Sequence, residues 1–88
     1  MIEVGKTYYI MAHAYHHYIG TVVEIYPRMV VLRNVVKVHS CGRSWTDFFA
    51  DGFRDDTNYD IVPDGTIVPF GHLSVHPWNH PVPARRRK

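Results

Sequence analysis

Three of the chain's seven histidines, His13, His16 and His17, stand as H-x-x-H-H. Neutral imidazole nitrogens at that spacing on a turn are the raw material of a zinc or copper site. Such a site needs a third or fourth ligand, and no Cys or Asp stands near these three in sequence. They therefore read as polar residues of a turn rather than as a metal centre. His72 and His76 are four residues apart, which on a strand separates them by about 13 Å, too far to share one ion. Cys41 follows His39 by two residues and precedes a helix start, so a thiolate–imidazole pair is conceivable there. Nothing resembling an oxyanion loop, a nucleophile elbow or a phosphate loop accompanies it, and Cys41 reads as a small buried hydrophobe. Asp51, Asp55, Asp56, Asp60 and Asp64 crowd one segment, but their spacing fits no calcium loop. A solvated acidic loop is the reading they support. The sequence thus predicts no enzyme and no cofactor.

What remains is a set of aromatic and cationic side chains on or beside strands. Aromatic faces stack on bases and arginine forks grip phosphates, the combination by which small β folds hold nucleotides and single strands. Arg33, Arg28 and Arg43, together with Tyr18, His16 and His17, are the residues expected to contact such a ligand. Arg33 ranks first, because it sits in the most strand-like stretch of the chain, where a rigid backbone would fix its guanidinium. The expected ligand is a nucleotide or a short oligonucleotide.

The elements that must carry these residues are mostly strands. β-branched and aromatic residues come in short blocks separated by turn residues. Lys6–His13 and Tyr18–Ile25 form the first two blocks, linked through Tyr15, His16 and His17. Strict alternation puts Ile19, Thr21, Val23 and Ile25 on one face of the second block. Tyr26-Pro27 ends that ladder, since proline lacks a donor. Arg28 leads into Met29–Ser40, which at twelve residues is long for one strand. Asn34 in its middle predicts a bend or bulge through which the strand serves two neighbours. Ser44 then caps a short helix with Asp47 three residues on, and Trp45, Phe48 and Phe49 fall on one helical face. At least two of those three are expected to be buried. Gly52 ends the helix. Tyr59–Val62 follows, then the turn Pro63-Asp64-Gly65, and a closing strand from Thr66 to His76 kinked at Pro69 and Gly71. From Pro77 onward the prolines predict a basic tail.

Length and charge set the outer bounds. Eighty-eight residues make one modest domain that buries about 60–65% of its unfolded surface. Hydrophobic residues at 45% suffice for a core, and 20% charged residues argue against disorder. Arg85–Lys88 hold four of the ten Lys and Arg residues, leaving six basic against eight acidic side chains in residues 1–84. The basic character belongs to the tail, and a basic nucleic-acid-binding face is not expected on the body. No run of about 18 apolar residues points to a membrane span, and the first residues lack the pattern of a signal peptide. The expected fold is all-β: a small, partly open five-stranded barrel of the SH3-like or Sm-like type over residues 1–76, with one inserted helix. A Pro-rich basic tail over 77–88 would be available to a protein partner. Few charges guard the strand edges, which predicts a homo-oligomer formed by edge pairing. The expected location is the cytoplasm.

The stretch from Tyr8 to Gly52 resembles a group of small tailed-bacteriophage proteins. The resemblance rests on the tyrosine-bearing first strand, on Tyr18-Ile19-Gly20-Thr21, on Val30-Val31-Leu32-Arg33-Asn34 and on the tryptophan-bearing helix closed by glycine. It covers about half the chain and departs from that pattern at the histidine-rich turn and after Pro77. It implies a phage origin and a small β-barrel, as found among sponges for host immune signals, regulators of host enzymes and minor virion parts. It implies no reaction. The alternative function is an interaction or virion-structural protein that docks through a barrel edge and its basic tail.

Overall fold

The computed structural model describes residues 2–13, 16–69 and 74–84. Their elements are β1 (Thr7–His13), β2 (His16–Tyr26), β3 (Met29–Ser40), α1 (Trp45–Asp51), β4 (Asn58–Val62), β5 (Thr66–Pro69) and β6 (Ser74–Pro77). They form one antiparallel sheet in the order β4-β3-β2-β1-β6, with β5 also paired to β3. The fold is therefore mostly β with one short helix, as the composition predicts. Among the described residues it has six strands rather than five, because the expected closing strand is two strands on opposite edges of the sheet. Proline supplies no ladder donor, and Pro69 is where the first of them stops. The sheet is not closed.

The long third strand is divided at Asn34. Its first half, Met29–Leu32, pairs with β5, and its second half, Val35–Ser40, pairs with β4. Asn34 takes the left-handed conformation, φ +53°, which asparagine tolerates better than most residues. The Asp64 carboxylate accepts its backbone N–H at 2.8 Å, so the β4–β5 turn holds the bulge in place. The extra residue reverses the side-chain alternation. Val30, Leu32 and Val35 consequently point into one cluster, and Val36 and Val38 into another.

A second bulge at Val23 breaks the regular face expected of β2. The register runs Val22 opposite Leu32 and then Glu24 opposite Val31, skipping Val23. Ile25 accordingly pairs with Val30, and both Val23 and Ile25 are exposed. The expected face of Ile19, Thr21, Val23 and Ile25 holds only as far as Thr21. Pro27-Arg28 makes the two-residue turn into β3, with Tyr26 opposite Met29.

Both faces of the sheet bury apolar side chains. The first cluster contains Tyr8, Ile10, Ala12, Val22, Val30, Leu32, Val35 and Val68, with Val62 and Val75 packed against it. Val62 and Val75 lie on strands at the two ends of the order, so the sheet curls around this cluster. The second cluster lies on the other face, where α1 and the C-terminal segment cover it. Ser44 caps α1 as the sequence predicts, its hydroxyl accepting the Asp47 N–H at 3.2 Å. Gly52 closes the helix at φ +82° and donates its N–H to the Phe48 carbonyl at 2.8 Å. Phe48 is fully buried, whereas Trp45 and Phe49 are only half-buried. The seven-residue helix docks deepest through Phe48, while Trp45 and Phe49 pack on the same cluster and keep part of their surface open to a cleft.

The segment after Pro77 begins inside the fold. Pro77 pairs with Tyr8 at the sheet edge, where its missing donor costs nothing. Trp78 is 5% exposed and belongs to the second cluster beside Phe48 and Tyr59. Val82 packs on the same cluster, and the His80 ring bonds the Phe49 carbonyl at 2.8 Å. These residues are a strap over the helix-bearing face, not the start of a free tail. Arg85–Lys88 lie outside the described residues. No helix among those described is long and apolar enough to cross a membrane.

Candidate functional site

The six residues expected to form a ligand site do not come together. Arg33 stands opposite Thr21 on the sheet, and Arg28 is in the β2–β3 turn; both are exposed. Tyr18 faces the first cluster, half-buried, with the Lys37 ammonium 6.0 Å from its ring centre. His17, its neighbour on β2, points through to the opposite face, as strand alternation requires. His16 is half-buried at the start of β2. The side chain of His13 and all of Tyr15 lie outside the described residues, as does His72.

Arg43 is committed to the fold. Its guanidinium donates to the Asp56 carboxylate at 2.6 Å, to the Cys41 carbonyl at 3.1 Å and to the Gly52 carbonyl. It also lies 5.6 Å from the Phe48 ring centre. A fork so occupied ties the loops at the two ends of α1 together and is not presented to a phosphate. The Cys41–His39 pair is likewise not built. Cys41 is buried, with its thiol donating to the Arg43 carbonyl at 2.8 Å, and His39 is turned to Asp60 at 2.7 Å.

One of the expected six, His17, does lie in a concavity of ligand size. It is a cleft of about 500 Å3 between the sheet and α1, lined by Tyr9 and Met11 of β1, His17 of β2, His39 of β3, Trp45 and Phe49 of α1, and Ser74 and His76 of β6. That volume suits a small ligand. Strand register builds it. Tyr9 and Met11 share a face, Met11 stands opposite His17 on one side and Ser74 on the other, and Tyr9 stands opposite His76. The helix then lowers Trp45 and Phe49 over that row.

The floor of the cleft is a fixed aromatic assembly. The Tyr9 hydroxyl and His17 Nδ1 are 2.6 Å apart. The His17 ring stacks on Trp45 with centroids 4.2 Å apart and planes 24° from parallel. Phe49 meets Tyr9 edge-on at 4.8 Å, and His76 lies 5.1 Å from Phe49. Burial, with a smaller contribution from Cys41, pushes the Tyr9 phenol up to about 12. Burial, with help from neighbouring His16, holds the His17 imidazole below its ordinary value. Both shifts favour the uncharged forms, and between a neutral phenol and a neutral imidazole the stronger hydrogen bond runs from the hydroxyl to the more basic ring nitrogen. His39 stands at the rim as an Asp60-bound imidazole.

The arrangement offers flat apolar surface and imidazole nitrogens in one place. It does not offer a metal centre: among the described residues no three His, Cys, Asp or Glu side chains are placed to hold an ion. Tyr9, Trp45, Phe49, His39 and His76 were missed as a site by sequence reasoning. The common parity of Tyr9 and Met11 is a visible signal. The register that sets His17 and His76 beside them is not. No family model, curated protein or solved structure matches the chain.

Proposed function

We propose that the protein is a non-enzymatic binding module that captures a nucleotide or short oligonucleotide, with the base seated in the aromatic–histidine cleft. The observation that carries this reading is the cleft itself, where Trp45, Phe49 and Tyr9 put flat surface beside the imidazoles of His17, His39 and His76. Base stacking on such side chains contributes about 1–3 kcal/mol per base and tolerates any base. Arg28 and Arg33 have no ion-pair partner among the described residues, and they remain the cations open to phosphates of a longer ligand. The fold type proposed is a partly open SH3-like or Sm-like barrel. Its support is that residues from both ends of the strand order meet in one cluster with no helix over it. The resemblance to small phage proteins supplies a setting, the sequestration of a host signalling nucleotide in the bacterial cytoplasm. Edge pairing into a homo-oligomer belongs to the same proposal.

The test is calorimetry of the native protein against mono-, di- and cyclic nucleotides and short oligonucleotides, beside His39→Ala and His76→Ala. Both side chains line the cleft and are exposed, so neither substitution opens the core. Binding weakened by each substitution is the expected result. No binding by the native protein at high micromolar concentration overturns the reading.

A second reading rests on a different observation. Tyr26, Met29 and Ile67 are exposed on the part of the sheet away from α1. An apolar patch of that kind favours a protein that docks on a partner or within a virion. Arg28 and Arg33 of the same region would then contact the partner.

A further inference from the structure

Two of the three imidazoles at the cleft, His17 and His39, are each held by a partner that bears on where the ring proton sits. The Tyr9 hydroxyl and His17 Nδ1 are 2.6 Å apart; with the phenol, the more acidic partner, as donor, the proton of the neutral ring sits on Nε2. That Nε2–H has no hydrogen-bond partner among the described residues, and it is not among the buried polar atoms sealed without one. At His39 the logic runs the other way. An ionised carboxylate only accepts, so Nε2–H of His39 donates to Asp60 at 2.7 Å and, in the neutral ring, Nδ1 is left as a bare acceptor. Both histidines line the same cleft. With both rings neutral, the cleft therefore carries one donor and one acceptor, each set by the bond that Tyr9 or Asp60 makes to the other ring nitrogen.

We infer that the cleft recognises a planar heteroaromatic ring by an edge on which a hydrogen-bond acceptor stands next to a donor, the acceptor meeting His17 and the donor meeting His39. The amidine edge of adenine, with N1 beside the exocyclic amine, has this pattern. Rings bearing acceptors alone lack it, as do carboxylates. This assignment rests on the cleft being the base-binding site proposed above. It makes Tyr9 and Asp60 positioning residues, because each acts on the ligand only through the histidine it holds.

The experiment has two parts. Nitrogen-15 NMR of the native protein at pH 7.5 reads the tautomers directly, without any ligand, and both His17 and His39 should be Nε2–H. An Nδ1–H tautomer at either residue overturns the inference. Calorimetry then compares adenosine with purine riboside, which lacks the amine, and with 1-deazaadenosine, which lacks the acceptor. Losing either group should weaken binding about tenfold, the usual weight of one hydrogen bond to a ligand. The Asp60→Asn variant should retain adenosine binding only weakly and show a mixed tautomer at His39. Equal binding of all three nucleosides sinks the edge assignment while leaving the base-binding site intact. No binding of any nucleoside, by native protein with the expected tautomers, sinks both.

Discussion

Replacing Trp78 tests whether the C-terminal strap is part of the core. Its indole is 5% exposed, with ring centres 5.0 Å from Phe48, 5.7 Å from Phe53 and 5.0 Å from His80. Cutting a buried tryptophan to alanine costs about 3–5 kcal/mol in lost transfer energy and residual cavity. Unfolding entropy of about 2.1 cal/mol/K per residue over 88 residues gives roughly 5 °C of Tm per kcal/mol. Trp78→Ala should therefore melt about 15–25 °C below the native protein in a calorimetric scan. Trp78→Phe should behave differently, because the indole N–H is buried with no partner among the described residues. Its loss returns about 1–3 kcal/mol of desolvation cost and offsets much of the smaller cavity left by phenylalanine. A net change within about 1 kcal/mol is expected. Should Trp78→Ala melt within a few degrees of the native protein, the strap does not hold the core and the argument fails.

Gly42 has φ +74°, and a Cβ there would sit 2.7 Å from the Asp56 backbone oxygen. Gly42→Ala should lower stability by about 1–3 kcal/mol in urea denaturation. Arg43→Ala should cost about 2–3 kcal/mol, somewhat less than breaking a fully buried pair, since Asp56 is half-exposed. The same variant should leave nucleotide affinity unchanged in calorimetry below its melting temperature, which separates a structural clamp from a ligand contact. Burial keeps the folded-state pKa of His17 below its ordinary 6.5, so the unfolded chain takes up that proton first as pH falls. The contribution of His17 is whole above pH 6.5 and shrinks as pH drops through it. The urea midpoint should fall between pH 7.5 and 5, and by less in His17→Gln.

Local chemistry made some of this fold legible before any coordinates. Ser44, Asp47 and the Trp45/Phe48/Phe49 spacing mark the helix, and Pro63-Asp64-Gly65 marks the turn. Each signal acts within a few residues of itself. Asn34 divides β3 because a left-handed residue in a long apolar strand is a bulge almost by definition, and asparagine is the side chain suited to it. The prolines after 76 misled for the opposite reason. Their missing donors exclude a central strand but are harmless at an edge, and nothing local tells which edge Pro77 occupies. Trp78 is a better guide, since a tryptophan in a polar tail leaves a large apolar surface in water.

The candidate site shows where such reasoning stops. Residue types alone favoured the arginines, because guanidinium groups are the usual grip on phosphate. Arg43 satisfies every such expectation in sequence and none in space, since its fork is filled by Asp56, Cys41 and Gly52. The cleft depends instead on three separated strands arriving in register, with Tyr9 opposite His76 and Met11 opposite His17. A one-residue slip in either pairing would turn those histidines to the other face. The same register that buries Tyr9 also brings its phenol within 2.6 Å of His17, so packing and the placement of one imidazole proton have a single cause. Chemistry that arises from register cannot be read from a list of side chains, however suggestive their types.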